Sequence, residues 1–433
     1  MKRFIRTAVI LSVLMYAAAG CIKDPEPEPG PVASGSKTVI AYFFGTSLSY
    51  YFSQNVHDMQ KAVEQGLGEN TRLLLCKQND FATADIVELR YDAKAKKVIN
   101  DTLETIALPL KLDPSSFGQT MRHMMDLAPA ERYSAIFLGH STAWIPINPL
   151  APAAYSYGRM PRFVPSTETM PGAAVTRDIG EDQKNGDGSV KLDIRELAEG
   201  LGSTGEKFEW LYFDVCFMSS LEAAYELRNT AGYVIGSPCE IMGFGSPYDS
   251  VLPPLVRGEY ETACKNYWLF YEDYAYQSGC IAAIDCSKLD NVADVVKRIN
   301  ATDAADGFDI TEIQSYEGRN SSGHWFFDAE DYFAGICNDE ELIAEFHDRL
   351  SQCIVCRFNT EQFYSAYNSA MNDIHHYSGI NLTPDEKCVE AIRRQLEEEP
   401  SASSMHSRLE VQMEVLNYYN PSLQQTAWYK ATH

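Results

Sequence analysis

The sequence has little positive charge and no stretch in which basic and aromatic residues are interleaved. Its 433 residues include 36 lysines and arginines against 60 aspartates and glutamates, which gives a formal net charge of −24. A protein that binds nucleic acid needs a basic surface to neutralise phosphates. The composition therefore excludes nucleic acid as an expected partner. The apolar content of 45% is that of an ordinary globular protein with an ample core.

The sequence also lacks a regular cysteine framework. Of its 11 cysteines, Cys353 and Cys356 form a CxxC pair, but no second pair follows at zinc-site spacing. We expect this pair to share one face of a helix over Glu340–Arg357, and most thiols after Cys21 to be free and buried. We predict no metal site and no required cofactor. Calcium has no supporting motif, because Asp182–Asp193 fails the register of a calcium-binding loop.

No apolar run is long enough to span a bilayer. Three basic residues near the N-terminus precede an apolar stretch over residues 8–19, which is typical of a signal peptide. Small residues then lead to Cys21, as in a bacterial lipobox, so we expect residues 1–20 to be removed and Cys21 to be lipidated. Residues 21–36 form a proline-rich, acidic tether. We therefore expect a cell-envelope protein attached to a membrane through Cys21. The early acids also resemble surface-export signals of Gram-negative lipoproteins, which indicates the outer-membrane surface.

The order of predicted elements indicates the fold class. Over residues 37–299, buried strands alternate with amphipathic helices, which predicts an α/β fold with a mostly parallel sheet sandwiched by helices. Asp85–Thr105 alternates and carries charge, as an edge hairpin does. Pro146–Lys191 is rich in proline and shows no periodicity, which predicts a long loop of the kind that often carries function. Residues 300–433 predict a C-terminal region of mixed α+β structure.

One cysteine lies where a buried strand passes into a helix. The apolar run Trp210–Phe213 leads to Cys216, and a helical pattern follows, with Ser219 or Ser220 as its N-cap. A nucleophile at the carboxyl end of a strand faces the ligand crevice of an open α/β sheet. The positive end of a helix also stabilises a thiolate. The alternative interpretation is a buried structural cysteine.

One histidine has a matching position. His140 is the only one of the nine histidines that ends a predicted buried strand, Tyr133–Gly139. If this strand and the one ending near Cys216 are neighbours, both side chains emerge at the same edge of the sheet. A thiolate nucleophile needs such a partner for proton transfer, so the pattern favours a Cys/His dyad.

These residues resemble the clostripain-like cysteine peptidases, a family with a caspase-like fold. The run 214–218 (DVCFM) is similar to the nucleophile block of the family, and the run 140–144 (HSTAW) is similar to its histidine block, usually His-Gly-x-Gly-Trp. The resemblance extends over roughly residues 36–433. It implies a cysteine endopeptidase that acts on peptides or proteins, with Cys216 as nucleophile and His140 as its acid–base partner.

Two residues depart from the family pattern, because Ser141 and Ala143 replace its two glycines. In the family, the N–H of the first glycine and that of the nucleophile form the oxyanion hole. The resemblance therefore implies the backbone N–H groups of Ser141 and Cys216 in this role, provided that the serine can adopt the required φ and ψ.

The family prefers Arg or Lys before the scissile bond, which implies an acidic pocket. Asp214 matches the family position beside this pocket, and it points the same way as the nucleophile two residues later on an extended strand. We expect Glu240 to be a second acid, with Asp249 as the next candidate. Alternatively, Asp214 only orients the cysteine loop, Glu240 caps a turn, and Ile241, Met242 and Phe244 line an apolar pocket.

Clostripain-like enzymes are also often activated by cleavage between the two blocks. An exposed loop is where such nicking concentrates. The predicted loop offers five basic residues, Arg159, Arg162, Arg177, Lys184 and Lys191. The alternative is a loop that merely covers the site.

Two other functions remain open. Gly139–Ala143 (GHSTA) resembles the nucleophile elbow of α/β-hydrolases, which would make Ser141 the nucleophile of a serine hydrolase. That motif requires a helix after the serine, and the prolines at 146 and 149 prohibit one. The third reading is a non-catalytic surface lipoprotein that uses the fold for binding.

Overall fold

The protein is known from a computed structural model that describes residues 33–46, 48–68, 70–146, 191–274, 276–319 and 323–433. Within these ranges one sheet of nine strands forms the centre of the fold. The strands of this sheet are β1 (Lys37–Phe43), β2 (Thr71–Gln78), β3 (Thr83–Asp92), β4 (Lys97–Ala107), β5 (Arg132–Leu138), β6 (Phe208–Asp214), β7 (Ala231–Gly236), β8 (Ile281–Asp285) and β10 (Ile354–Phe358). Two small sheets pair β9 (Phe327–Asp328) with β13 (Asn381–Leu382) and β11 (Gln362–Ser365) with β12 (Ala370–Asp373).

Twelve α-helices accompany these strands in the described ranges. They are α1 (Ser49–Gln65), α2 (Pro114–Leu127), α3 (Ile194–Ser203), α4 (Leu221–Leu227), α5 (Tyr248–Arg257), α6 (Tyr260–Glu272), α7 (Leu289–Asn300), α8 (Ala329–Ile336), α9 (Glu340–Cys353), α10 (Glu386–Glu398), α11 (Ser404–Leu423) and α12 (Ala427–Thr432).

The central strands are parallel and the edges are antiparallel. Across the sheet the order is β10-β8-β7-β6-β5-β1-β2-β3-β4. Strands β2, β1, β5, β6 and β7 run parallel, while β3 and β4 on one side and β8 and β10 on the other are antiparallel. The predicted α/β class is confirmed, and the charged hairpin predicted at an edge is β3–β4.

Helices cover both faces of this sheet, as predicted. Along β1, Val39, Ala41 and Phe43 join the core on the face covered by α1, α5 and α6. Ile40 and Tyr42 join the core on the opposite face, covered by α2, α3, α4 and α7. Successive side chains of a strand point to opposite faces, and here both faces are dry. This is why the central strands read as unbroken apolar runs.

Most of the C-terminal region packs on the second of these faces, while Tyr364 and Ala366 join the core on the first. Its aromatic residues Phe326 and Tyr419 belong to the same core as the helices on the second face. Trp428 of α12 meets the ring of Tyr225 of α4, with ring centroids 5.5 Å apart. The core is therefore continuous across the predicted boundary between residues 299 and 300.

The structure corrects the helix predicted over Glu340–Arg357. Helix α9 ends at Cys353, and Ile354–Phe358 forms β10, in which Cys356 lies opposite Ala283 of β8. The apolar, β-branched start of this segment completes the sheet at an edge that would otherwise be unpaired, so tertiary pairing overrides helix propensity. The two cysteines therefore do not share a helix face. All ten described cysteines are free and, apart from the half-buried Cys356, buried.

Several predictions fall on other parts of the chain. The signal peptide, Cys21, most of the tether and nearly all of the loop predicted over Pro146–Lys191 lie outside the described residues. Among the helices of the described ranges, none has the length and apolarity needed to cross a membrane.

Candidate active site

The pairing of β5 with β6 positions the two predicted catalytic residues. The strands are parallel neighbours, and Leu138 lies opposite Asp214 in the last aligned pair. His140 and Cys216 each follow two residues later, so they leave the same edge of the sheet at the same level. The condition that the sequence analysis set for a Cys/His dyad, that the two strands are neighbours, is met.

The turn after His140 keeps the backbone shape that a glycine would favour. Ala143, at the second glycine position of the family pattern, has φ +52°. This is the left-handed region that costs a residue with a side chain about 1–2 kcal/mol. The amide of Ala143 donates to Oγ of Ser141 at 2.9 Å, which supports the turn. Ser141 is followed by this turn and not by a helix through residue 146, the last described residue before the gap, so the nucleophile-elbow motif is incomplete.

Cys216 is closed off from solvent, with only 1% of its surface exposed. Its sulfur accepts a hydrogen bond from the backbone N–H of Ile241 at 3.3 Å. Ile241 belongs to residues 237–245, which we call the covering loop. Burial raises the pKa of the Cys216 thiol well above its usual value, and the carboxylates of Glu240 and Asp214 add to this effect, while the Ile241 N–H opposes it. The thiol is therefore protonated in this conformation.

The following helix contributes less to the thiol than the sequence suggested. Ser220 is the N-cap of α4, as predicted, and its side chain accepts from the amide of Ala223 at 3.5 Å. However, α4 begins at Leu221, five residues after Cys216, and the N–H that reaches the sulfur belongs to Ile241. The expected stabilisation of a thiolate by a helix N-terminus is therefore not seen, because the nearest donor comes from the covering loop.

The covering loop is paired with the chain just after the nucleophile. The amide of Phe217 donates to the carbonyl of Cys239 at 3.0 Å, and the amide of Ser219 donates to the carbonyl of Ser237 at 3.0 Å. Phe217 itself has φ +63°, so the backbone turns sharply directly after Cys216. These bonds hold the first part of the loop, residues 237–239, against residues 216–219, which we call the nucleophile segment.

Asp214 is the last residue of β6 and lies in a buried polar site. Its Oδ2 accepts from the amide of Ser246 at 3.0 Å and from the hydroxyl of Tyr248 at 2.7 Å. Burial raises its pKa to about 6, against the opposing effect of these two hydrogen bonds. A Cβ atom on Gly245 would lie 2.5 Å from the same oxygen, so a glycine is needed for this close approach. The other oxygen, Oδ1, has no hydrogen-bond partner among the described residues.

A small cavity adjoins Asp214. Besides Asp214, its lining includes Leu48, Gly139, Ile241 and Met242, and its volume is about 10 Å³. This is near the minimum for one water molecule, so a lysine or arginine side chain does not fit. An open groove of about 910 Å³ is lined in part by Tyr50, Tyr51, Phe244 and Asp249, and it shares Gly245 with the small cavity.

Glu240 lies apart from this cavity. Its Oε2 accepts from the amide of Ala366, next to β11, at 2.9 Å, and it is not among the residues that line the cavity. Burial raises its pKa to about 8, opposed by hydrogen bonds from Ser365 and Ala366. The structure thus brings Asp214, Ile241 and Met242 together and directs Glu240 toward the C-terminal region.

Residues 378–383, here called the bridging segment, also reach the site, and sequence reasoning missed them. The carbonyl of Gly379 accepts from Oγ of Ser219 at 2.6 Å. Oγ1 of Thr383 accepts from the indole N–H of Trp144 at 2.8 Å. The backbone amide of Thr383 donates to the carboxylate of Glu222 at 2.7 Å. The segment therefore contacts both the turn after His140, through Trp144, and the nucleophile segment, through Ser219. Its sequence, SGINLT, carries no motif that would have identified it.

The remaining predicted residues are placed as follows. Lys191, one of the five proposed cleavage positions, is buried, and the other four lie outside the described residues. Within the described ranges, no three histidine, cysteine or acidic residues are grouped so that they could hold a metal ion.

Comparison with known proteins identifies the family. The sequence profile of the clostripain family, peptidase family C11, matches residues 167–420. The chain belongs to the clostripain family. It is a cysteine peptidase, and its sheet and flanking helices form the caspase-like fold of that family. The comparison with curated proteins found no match to this chain.

Solved structures agree with this assignment. A secreted C11 cysteine protease from Bacteroides thetaiotaomicron, "iotapain", is 28% identical with a TM-score of 0.73, and the match covers 92% of this chain and 99% of that chain. A secreted C11 protease from the same organism in complex with an irreversible peptide inhibitor is 22% identical, with a TM-score of 0.69 and coverage of 92% and 99%. An inactive zymogen C11 protease from Parabacteroides distasonis is 22% identical, with a TM-score of 0.70 and coverage of 93% and 100%. At 22% identity the last two show the fold alone.

The buried carboxyl of Glu222 generates a pH-dependent prediction. Burial raises its pKa to about 7, although Ser220 and the amide of Thr383 donate to it. The unfolded pKa is about 4.3. The cost to folding is therefore absent below about pH 4.3, grows as pH rises from there to about 7, and has its full size above pH 7. In Glu222→Gln the amide oxygen can still accept from Thr383, and the amide N–H can donate to Oγ of Ser220. We expect this change to raise the free energy of unfolding by about 2 kcal/mol at pH 8 relative to its effect at pH 5.

Urea unfolding at the two pH values, in a Cys216→Ala background that prevents self-digestion, measures this difference. The exposed Glu199 of α3 supplies the control, because Glu199→Gln should change stability equally at both pH values. A Glu222→Gln effect that does not grow with pH would contradict the assignment of the cost to ionisation.

Proposed function

We propose that this clostripain-family peptidase is a lipid-anchored endopeptidase that cleaves after Arg or Lys through a Cys216/His140 dyad. The observation that carries the dyad is the register of β5 and β6, in which both residues follow the Leu138–Asp214 pair by two positions. A nucleophile and a general base that leave one sheet edge together meet the geometric requirement for nucleophilic catalysis.

In the proposed reaction, His140 takes the proton of the Cys216 thiol, and the thiolate attacks the carbonyl carbon of the scissile peptide bond. The C–N bond breaks as His140 returns the proton to the leaving amine, which leaves a thioester on Cys216. His140 then removes a proton from water, and the resulting hydroxide attacks the thioester. The carboxyl product leaves and the free thiol is restored.

The backbone N–H groups of Cys216 and Ser141 are proposed to stabilise the negative oxygen of the tetrahedral intermediates. Two observations support this role. The Ser141 side chain accepts from the Ala143 amide, which supports the turn that contains the Ser141 backbone N–H. The left-handed φ of Ala143 also preserves the glycine-like turn that follows.

The dyad predicts a specific pattern of inactivation. Cys216→Ala and His140→Ala should each lower kcat/KM on a peptide substrate by at least about 1,000-fold, because each removes a group that acts as part of one unit. Ser141→Ala keeps the backbone N–H and should retain at least about a tenth of wild-type activity. Initial rates with a fluorogenic Arg peptide under reducing conditions measure this.

Cys356→Ala is the matched control, since it removes the most exposed described thiol without touching the site. Activity that survives Cys216→Ala and disappears with Ser141→Ala would assign the reaction to a serine hydrolase. A wild-type chain without activity on any peptide, under reducing conditions and after cleavage of its loop, would favour the binding-protein alternative.

Asp214 is proposed to pair with the basic residue before the scissile bond. Its Oδ1 has no partner among the described residues, and the carboxyl lines the small cavity between Gly139 and Ile241. A guanidinium or ammonium group there would donate a hydrogen bond to Oδ1 of the buried carboxylate and lower its raised pKa. Glu240 is retained as a second candidate acid, although its Oε2 contact with Ala366 favours a role in holding the covering loop.

Changing the charge of Asp214 tests this specificity. Asp214→Asn keeps the shape and should lower the ratio of kcat/KM for an Arg peptide to that for a matched Leu peptide by about 100-fold, the loss of one buried charge pair. Kinetics with the two peptides measure the ratio. Asp249→Asn, in the groove beside the cavity, should leave the ratio unchanged.

Glu240→Gln distinguishes the contributions of the two acids. It lowers the Arg-to-Leu ratio of kcat/KM only if Glu240 also contacts the substrate. The proposed pairing is wrong if the wild type cleaves after apolar residues, or if Asp214→Asn lowers kcat/KM equally for both peptides. Neither result affects the proposed dyad.

The closed cavity and the buried thiol imply that the covering loop must move before a substrate binds. We propose that cleavage within residues 147–190 permits this movement, at Arg159, Arg162, Arg177 or Lys184. The buried position of Lys191 makes it a poorer substrate. A fully active enzyme that remains one uncut chain would contradict this.

The lipid anchor is proposed on Cys21, and it would hold the enzyme at a membrane of the cell envelope. The small residues before Cys21 and the acidic tether after it support this proposal, as does the description of the "iotapain" protease as secreted. Metabolic labelling with an alkyne analogue of palmitate should mark the wild type but not Cys21→Ser. A mature N-terminus at a residue other than Cys21 would remove the proposal.

A further inference from the structure

A single buried side chain of the C-terminal region contacts both segments that surround Cys216. Asn381 is fully buried, and its Nδ2 donates to the carbonyl of Phe217 at 3.2 Å and to the carbonyl of Pro238 at 2.8 Å. Its backbone amide donates to the carbonyl of Ser219 at 2.8 Å. The two hydrogens of one amide group thus bridge the nucleophile segment and the covering loop.

The first of these carbonyls belongs to a residue under backbone strain. Phe217 follows Cys216 directly and has φ +63°, a conformation that side chains disfavour. Such a conformation persists only where the surroundings hold it. The ring of Phe217 stacks on Phe326 with centroids 4.6 Å apart, and Nδ2 of Asn381 holds its carbonyl. The direction in which Cys216 leaves its strand therefore depends on contacts from the C-terminal region.

The second carbonyl lies near the start of the covering loop. Pro238 precedes Ile241 by three residues, and the amide of Ile241 is the group that donates to the Cys216 sulfur. By holding Pro238, Asn381 keeps the origin of the loop in place beside the nucleophile. The rest of the loop can then move away from the thiol without displacing the backbone that carries it.

Asn381 is itself held rigidly. It pairs with Asp328 in the small sheet formed by β13 and β9. The carboxylate of Asp328 in turn accepts from the amide of Ser378 at 2.6 Å and from the amides of Glu330 and Asp331 at 3.0 Å. A donor fixed in this way can determine the position of its two acceptors.

We propose that Asn381 is a positioning residue for the cysteine nucleophile, supplied by the C-terminal region, and this inference rests on the proposed role of Cys216. It acts through the carbonyls of Phe217 and Pro238 and does not contact the substrate. Only a carboxamide of this length offers two coplanar donors to two carbonyls. A carboxylate offers none when ionised and would repel both oxygens.

The test compares Asn381→Asp and Asn381→Ser with the wild type in the full chain. A misplacement of the nucleophile by about 1 Å can cost about 100-fold in rate. We expect Asn381→Asp to lower kcat by about 100-fold with KM within about twofold, and Asn381→Ser, which keeps one donor, to lower kcat by a smaller factor. The rate at which iodoacetamide alkylates Cys216, followed by mass spectrometry, should fall in parallel.

Two controls separate positioning from general stability. Thr360→Ala removes another buried hydrogen-bonding side chain of the C-terminal region, which contacts Gly279 and Gln362; it should lower Tm without changing kcat. Asn372→Asp changes a partly exposed asparagine of β12 and should change neither Tm nor kcat. Melting curves are recorded for every variant, and rates are measured well below the lowest Tm.

The outcomes distinguish this inference from the proposed function. If Cys216→Ala remains active, the proposed nucleophile is wrong and the role of Asn381 falls with it. If Cys216→Ala is inactive and folded Asn381→Asp keeps kcat within about threefold of wild type, only the positioning role is overturned. Should Asn381→Asp fail to fold, Asn381→Ser decides the question, because a loss of kcat no greater than that of Thr360→Ala overturns the proposal and a larger loss supports it.

Discussion

The parallel pairing of β5 and β6 is the constraint on which the site depends. Its register sets Leu138 opposite Asp214, and the two catalytic candidates follow at equal distance along the chain. A slip of one residue would send one of the two side chains to the opposite face of the sheet. Such a slip is resisted by the two dry cores, which bury alternate residues of every central strand. The packing that fixes the register of the sheet therefore also fixes the relative position of the two proposed catalytic residues.

Two buried acids, Asp214 and Glu240, lie near the proposed nucleophile. Burial raises the pKa of Asp214 to about 6 and that of Glu240 to about 8. Burial of the sulfur, together with the proximity of these two acids, holds the pKa of the Cys216 thiol well above its usual value. A cysteine peptidase needs the opposite condition, since the thiolate is the nucleophile. The same groups that would attract a cationic substrate thus suppress the nucleophile while the covering loop is closed.

The cavity beside Asp214 agrees with this picture. Its volume of about 10 Å³ leaves no room for a side chain, and Ile241 both lines it and donates to the Cys216 sulfur. Movement of one loop would therefore open the pocket, hydrate the thiol and free its sulfur together. A basic side chain entering the opened pocket would also neutralise one of the charges that oppose thiolate formation. Substrate binding and activation of the nucleophile would then be linked through Asp214.

The C-terminal region is structurally part of the site. The bridging segment contacts Trp144 through Thr383 and Ser219 through Gly379, and Asn381 joins the nucleophile segment to the covering loop. The apolar core is continuous between this region and the helices beside the sheet. Residues far beyond the nucleophile in sequence therefore complete the arrangement around it.

The sequence alone determined the sheet and the positions of the two proposed catalytic residues, because these depend on local patterns. Unbroken apolar runs with intervening amphipathic helices are sufficient to predict parallel strands buried on both faces, and Cys216 and His140 follow two of those strands directly. The family motifs extended this reading to the reaction. Tertiary structure decided what local patterns do not encode. The strand Ile354–Phe358 exists because β8 offers it an edge, and Glu240 turns to Ala366 because a backbone donor is available there. Asn381 reaches the site only through a sheet pairing with Asp328. Contacts between residues distant in sequence form only when the whole core is assembled, so no window of the sequence contains them.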